Sequence, residues 1–411
     1  MTILQVNGDR VIQGLADLGK IGATPNGGVN RPSFSKPDGE ARSWMAARAR
    51  QAGLEIASDG IGNIFIDLPI NAQLAGEPAV WSGSHIDSVP GGGRFDGCLG
   101  VLAAIESLRR MQEEKLKLVR PVRVVVYADE EGSYSPLLGS TALTKGFTRE
   151  QLEGMVGRDG EKLRDVLVAA GGDLDQATNL TVDPESLHAS VELHVEQGPK
   201  LEAAGNAVGI VSAIVGLGGG KAHFEGRADH AGTTPMDGRK DALLAAAEFV
   251  RILPALVSGN AVVTCGRIDT EPGSSNVVSS RASVSIDFRD SDERSLRQID
   301  ERIRAKAAEI AEAFGLTCHV DFDDLVLPVA LDSGIQKTIE ASAVRQGFST
   351  MALISGAIHD SLNLSTITPT GMIFVPSVGG RSHCHDELTM PESVIQGSNI
   401  LLDVLVELAS N

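Results

Sequence analysis

The chain has 411 residues, 42% of them hydrophobic and 22% charged, with a mean hydropathy of +0.02. That composition suits a globular protein with room for two or three domains, and no apolar stretch reaches the roughly eighteen uncharged residues of a membrane span. A net charge of −18, from 36 Lys and Arg against 54 Asp and Glu, repels nucleic-acid phosphate, and no basic run offsets it locally. The cysteines Cys98, Cys265, Cys318 and Cys384 are scattered and form no CxxC, which points to free thiols in a reducing cytoplasm. The N-terminal segment carries Asp9 and Asp17 and no basic stretch ahead of an apolar block, so it does not read as a signal peptide.

In chain order, the segment through Gly53 is helical at both ends around a Gly/Pro/Asn-rich loop, IGATPNGGVNRPSFSK, from Ile21 to Lys36. GNIFIDLPI and AVWSGSHI read as strands. GVLAAIESLRRMQ reads as a helix with Ile105, Leu108 and Met111 on one face, and RPVRVVVYA is a β-branched run suited to a strand buried on both faces. Strand, helix, strand predicts a mostly parallel α/β sheet flanked by helices. Near Gly209 the texture changes. AVGIVSAIVGLGGGKAHFEGRA reads as paired strands and DALLAAAEFVRILPAL as a helix. AVVTCGRIDT and ASVSIDFRD read as antiparallel strands, ERSLRQIDERIRAKAAEIAEAFG as a long amphipathic helix and LTCHVDFDD as a further strand. This β-α-β-β-α-β order predicts a ferredoxin-like α+β unit. From about Asp332 the first texture returns, with helices SGIQKTIEASAVRQGF and ESVIQGSNILLDVLVELA around strands TMALISG and GMIFVPS. The expected organisation is a discontinuous α/β domain, 1–210 and 332–411, interrupted by an inserted α+β domain, 211–331.

Five short segments concentrate histidines and acids. GSHIDSVPGGGRFDG holds His85, Asp87 and Asp96; ADEEGS holds Asp129, Glu130 and Glu131; ELHVEQG holds His194, Glu196 and Gln197; ADHAGTTPM holds His230; GGRSHCHDE holds His383, His385 and Glu387. Each alone has a plain structural reading: a His-x-Asp capping pair, a solvated Glu-Glu loop, a Gly-rich turn. Jointly, four of these loops bring three histidines and several acids to the edge of one predicted sheet, where the loops of open α/β sheets converge. Gathering that much charge without a cation costs several kcal/mol per unpaired group. Imidazole and carboxylate donors without thiolates suit Zn²⁺, with Mn²⁺, Co²⁺ and Ni²⁺ as alternatives.

These segments, with GATPNGGVNRPSFS, DEEGSYSPLLGS, HAGTTPMDGRKDAL, SIDFR, SGAIHDSLNL and MIFVPSVGGRSHCHDE, make nearly the whole chain resemble the M20 metallohydrolases. Within them it is similar to the amidase branch that includes N-carbamoyl-L-amino acid hydrolases, β-ureidopropionases and allantoate amidohydrolases. The resemblance implies a metallopeptidase-like catalytic domain, an inserted lid and dimerisation domain, and a homodimer. It implies two divalent metal ions per subunit: His85 and His194 would hold one, Glu131 and His383 the other, and Asp96 would bridge them. Asp87 would accept the free N–H of His85 and fix its tautomer. Glu130 would be the general base, taking a proton from water activated by the metals and passing it to the leaving nitrogen. Arg289 would grip a substrate carboxylate through its fork, and His230 would stabilise the oxyanion. Gln197, Asn276, Gly356 and His359 would bind substrate. That substrate would be a small anionic ureido or carbamoyl acid, an N-carbamoyl amino acid first and allantoate second, with a non-catalytic binding protein of the same fold as the remote alternative.

Plain readings stay open in the inserted segment: Arg289 as a strand-end salt bridge, His230 as a satisfied loop histidine, Asn276 as a turn residue. The sequence also departs from the family pattern. Cys98 stands where relatives usually carry Ala. Cys384-His385-Asp386 follows His383 where many have a Pro, adding an imidazole that is exposed, hydrogen-bonded, or exchanged with His383 as a ligand. VVSS follows Asn276 where relatives often have a Pro-Gly turn.

Overall fold

In the computed structural model, which describes residues 3–69, 74 and 76–410, the apolar runs predicted as strands lie in two sheets. The end of the predicted strand GNIFIDLPI, at Ile70, lies outside the described residues. The chain divides into two units: Met1–Ser212 with Leu331–Ser355 and His359–Asn411, and Ala213–Ala330 with Gly356–Ile358. Strands β1 (Glu55–Ser58), β2 (Ile64–Asp67), β3 (Ala79–His85), β4 (Val122–Tyr127), β5 (Leu187–Val195) and β6 (Val208–Ile214) come first. Then follow β7 (Gly216–Glu225), β8 (Val262–Glu271), β9 (Arg281–Asp290), β10 (Thr317–Phe322) and the short β11 (Val329–Ala330). The chain returns to the first unit with β12 (Thr350–Ser355) and β13 (Thr370–Val375).

The sheet of the first unit runs β1-β2-β4-β3-β5-β13-β6, with β12 also pairing with β6. Pairs β3–β4, β3–β5 and β5–β13 are parallel, and β1–β2, β2–β4 and β6–β13 are antiparallel. The expected sheet is thus a mixed one with a parallel centre flanked by helices. Its central strands are buried on both faces, so β13, TGMIFV, shows no alternation and reads as one apolar run. Helix Cys98–Glu113 packs into the same core as helix Pro391–Ser410. The latter is long and apolar enough to cross a membrane by length and composition, yet its Leu401, Leu402, Val404 and Leu405 are fully buried in that core.

Because the central strands are parallel, their carboxyl ends share one edge. His85 is the last residue of β3, Asp129 to Glu131 follow β4, His194 is next to last in β5, and the loop after β13 leads to His383. Gly83 keeps β3 and β4 in this register, since a Cβ there would overlap the Val125 backbone opposite it.

The second unit has the strand order β10-β7-β9-β8, antiparallel throughout, which is the expected β-α-β-β-α-β arrangement. Helices Ala242–Ile252 and Glu293–Ala313 bury Ala245, Phe249, Leu296 and Ile303 against Ala222, Phe224, Val284 and Phe288 of the sheet. Each helix begins at an aspartate, Asp241 or Asp292, whose carboxylate accepts N–H groups of the first turn. The two ends of the unit pair with one another, Val329 opposite Ile214 and Ala330 opposite Ala213.

Gly83→Ala is expected to destabilise the protein by about 2 kcal/mol or more through overpacking, read as a lower urea midpoint. An unchanged midpoint would show that β3 and β4 do not close as described.

Candidate active site

The carboxylate of Asp96 is the meeting point of the loops. Its Oδ1 lies 3.4 Å from His85 Nε2 and 3.1 Å from His194 Nε2. Its Oδ2 lies 3.3 Å from His383 Nε2, which is 3.6 Å from Glu131 Oε1. Glu130 Oε2 stands 3.6 Å from His85 Nε2. The two oxygens of one carboxylate thus face different imidazoles. His85, Asp96, His194, Glu130 and Glu131 are buried or nearly so, whereas His383 is exposed. Gly97 lets the chain turn away after Asp96: its φ is 62°, and a Cβ there would meet the His85 ring at 2.5 Å.

Hydrogen bonding assigns the tautomers. His194 Nδ1 faces the Val195 carbonyl at 2.8 Å, so it carries the proton, and Nε2 accepts the Gly97 N–H at 3.1 Å. His85 Nδ1 faces the Asp87 carbonyl at 3.1 Å, with the Asp87 carboxylate at 3.5 Å. The backbone oxygen of Asp87 is thus the acceptor for His85, where the sequence pointed to the carboxylate. Its Oδ2 takes the Glu131 N–H at 3.1 Å instead. The His85 Nε2 lone pair then faces the carboxylates of Asp96 and Glu130, a repulsive arrangement unless a proton or a cation lies between, while His194 Nε2 takes the Gly97 N–H beside the same Asp96 oxygen.

The ionisation pattern carries the same strain. Burial opposes protonation of His85, yet Glu130, Asp87 and Asp96 push it well above the usual imidazole range. Burial works against the charge of Asp96, but His194, His383 and His85 hold it well below the usual carboxylate range. Burial, with Glu131, Asp360 and Asp87, pushes Glu130 well up. Burial and Asp96 raise Glu131 to about 7. The hydrogen bond to Asp96 raises His383 to about 9 against burial. A divalent cation relieves all of these at once. Two ligand bonds of about 2.1 Å at a tetrahedral angle set donor atoms about 3.4 Å apart, matching the spacings above. The donor groups His85/Asp96/His194 and Asp96/Glu131/His383 therefore fit such ions.

The other sequence-predicted residues fall in different places. Gln197, at φ 58°, turns its Nε2 onto Asp96 Oδ2 at 2.8 Å and His383 Nε2 at 3.2 Å. His359 is buried, its ring edge-on to His194 with centroids 4.5 Å apart and its Nε2 3.0 Å from Ser355 Oγ. His385 is exposed and its Cβ packs over Gly28, so His383 alone of the two joins the cluster. His230, Asn276, Arg289 and Gly356 belong to the second unit. His230 Nδ1 accepts the N–H groups of Gly232 and Thr233, each at 3.1 Å, which leaves Nε2–H as a neutral donor. The Asn276 carbonyl accepts the Ala231 N–H at 3.0 Å and steadies that loop. Arg289 donates through Nε and Nη2 to both oxygens of Asp287 at 3.0 and 3.2 Å, and through Nη1 to the Gly356 carbonyl at 3.0 Å. The strand-end salt bridge is thus present, on the Nε edge of the guanidinium.

Sequence reasoning gave no role to Glu387 or Glu192. Glu387 Oε1 accepts the N–H groups of Phe95 and Asp96 at 2.8 and 3.1 Å, and Oε2 lies 2.6 Å from Ser382 Oγ. It ties the Asp96 loop to the His383 loop. Glu192 is buried and takes the hydroxyls of Ser84 and Ser361 at 2.8 and 2.7 Å. Its position two residues before His194 on a strand, hence on the same face, was the available signal.

Residues 81–407 match the family described as Peptidase family M20/M25/M40. The chain belongs to this family. Among its M20 relatives, an N-carbamoyl-L-amino acid amidohydrolase of Geobacillus stearothermophilus is 35% identical, over 98% of this chain and 99% of the relative. An allantoate amidohydrolase of Bacillus subtilis (strain 168) is 32% identical over 95% of each. The crystal structure of an amidase of the hydantoinase/carbamoylase family from Burkholderia vietnamiensis superposes with a TM-score of 0.90 at 34% identity, covering 100% of this chain and 99% of that one. This M20 protein is a hydrolase of carbon–nitrogen bonds.

Divalent-cation binding should release protons, because Glu131, near 7, and His383, near 9, must be deprotonated to act as ligands. Affinity should therefore rise with pH from about 6 to about 9. Calorimetry at pH 7 in two buffers of different ionisation enthalpy measures the release, and binding without it would contradict the ligand set.

Proposed function

We propose that this M20 hydrolase cleaves the linear C–N bond of an N-carbamoyl amino acid, yielding the amino acid, CO₂ and ammonia. The observation that carries the reading is Asp96 flanked on its two oxygens by separate imidazoles, with the Glu130 carboxyl 3.6 Å from one of them, His85. Two of the full-length relatives are named for N-carbamoyl-L-amino acids and for allantoate, which supports a bond outside peptides. His85 and His194 would hold one divalent cation, Zn²⁺ first, and Glu131 and His383 a second, with Asp96 shared. Cations bound there supply charge that acidifies water and polarises a carbonyl.

In this reading Glu130 takes a proton from water as the oxygen adds to the carbamoyl carbon. It then delivers the proton to the departing nitrogen as the C–N bond breaks, and the carbamic acid that remains loses CO₂. His230 Nε2–H donates to the developing oxyanion, which suits a neutral imidazole whose Nδ1 is already occupied. Arg289 holds the substrate carboxylate through the Nη protons that Asp287 and the Gly356 carbonyl leave over. Gln197, Asn276 and Gly356 add hydrogen bonds. His359 binds substrate in this reading through its Nδ1, Nε2 being taken by Ser355, and Asp87 fixes His85. The second unit serves as lid and dimerisation unit of a homodimer in the cytoplasm; its four-stranded sheet and the four free thiols suit those assignments.

Ammonia release should be measured with carbamoyl α-amino acids, carbamoyl β-alanine and allantoate after loading with Zn²⁺, Mn²⁺, Co²⁺ or Ni²⁺. Turnover of carbamoyl α-amino acids is the expected result. Preference for allantoate would move the assignment to the second named substrate, and hydrolysis of none would end it. Glu130→Gln should keep its metal content and lose at least about 100-fold in kcat. Arg289→Leu should raise KM more than it lowers kcat.

A further inference from the structure

Arg31 is the largest fully buried side chain among the described residues. A guanidinium stays charged and is costly to bury unless its donors are met. None of its hydrogen bonds goes to a carboxylate. Nε donates to the Ile86 carbonyl at 2.6 Å, Nη1 to those of Leu18 and Ile21 at 3.0 and 2.8 Å, and Nη2 to Cys98 Sγ at 3.2 Å. Ile86 directly follows His85, and Cys98 stands two residues after Asp96 at the start of helix Cys98–Glu113. The backbone is stitched at the same place. Arg31 N–H donates to Ser88 Oγ at 3.0 Å, Ser88 N–H to the Arg31 carbonyl at 3.0 Å, and Val29 N–H to the Gly92 carbonyl at 2.9 Å.

We propose that Arg31 is a positioning residue whose guanidinium sets the separation of His85 and Asp96, with the Cys98 thiol as one point of its grip. The fork is planar and rigid, so the carbonyl after His85 and the thiol after Asp96 are held by one inflexible group. Lysine keeps the charge but is a flexible point donor and does not reproduce four contacts in one plane. The consequence for metal retention rests on the reading of the site given above; the grip on the loops does not.

The test compares wild-type protein with Arg31→Lys, Cys98→Ala and Leu108→Ala. Leu108 is fully buried further along the same helix and serves as a control for general destabilisation. Hydrogen exchange of peptides spanning 85–98 is read before metal loading. The rate at which a chelator removes Co²⁺ and the Co²⁺ absorption band are read afterwards. Arg31→Lys should speed exchange in 85–98 and metal loss by about ten-fold or more, with a shifted band. Its kcat should fall while KM stays within about two-fold. Cys98→Ala should show a smaller change in the same direction, reversed in part by Cys98→Ser, which restores an acceptor. Leu108→Ala should lower the melting temperature without these local changes. Wild-type exchange in Arg31→Lys, or equal local change in Leu108→Ala, overturns the proposal. If Arg31→Lys does not fold, the comparison of Cys98→Ala with Cys98→Ser decides, and identical exchange in the two overturns it. A wild-type protein that takes up no divalent cation sinks the metal reading alone, because the exchange measurement is made without one.

Discussion

Like-polarity atoms are held face to face around Asp96. Two imidazoles give their Nδ1 protons to backbone carbonyls and set their Nε2 atoms 3.4 and 3.1 Å from the same carboxylate oxygen. In a buried setting such an arrangement needs positive charge among the donors, and the rest of the first unit works to keep the donors from moving apart. Four parallel strands end at one edge, Gly83 lets two of them approach, and Gly97 lets the chain leave Asp96 without striking the His85 ring.

The framework is also cross-tied. Glu387 joins the loop that carries Asp96 to the loop that carries His383, and Arg31 joins the segment after His85 to the helix after Asp96. The donors are therefore fixed through backbone atoms as well as through their own side chains. A site built this way loses less conformational freedom on taking up a ligand than one assembled from mobile loops.

Much of this was legible in the sequence because its strongest signals are local. The apolar runs of β4 and β13 announce strands buried on both faces, and β-α-β-β-α-β order announces the second unit. His85, Asp96, Glu131, His194 and His383 sit at strand ends or in Gly-rich loops, where topology brings side chains together. What was not legible depends on atoms far apart in the chain or on backbone oxygens. Glu387 meets the amide of Asp96 across 291 residues, and no local pattern encodes that pairing. The carbonyl of Asp87, nearer to His85 than its carboxylate is, has no letter in the sequence. Asp287, two residues before Arg289 on a strand the sequence already showed, shares its face and is the partner of the strand-end salt bridge left open there. His385, two residues beyond His383, is exposed with its Cβ over Gly28, one of the placements its sequence left open.

The first unit is assembled from segments on both sides of the second: Val6 N–H is bonded to Asn399 Oδ1, and His383 comes from the returning segment. A nascent polypeptide emerging from the ribosome presents His85, Asp96 and His194 well before His383 exists. The sheet and core of the first unit therefore cannot close until β12, β13 and helix Pro391–Ser410 have been translated, so completion of this unit waits on synthesis of the whole of the second.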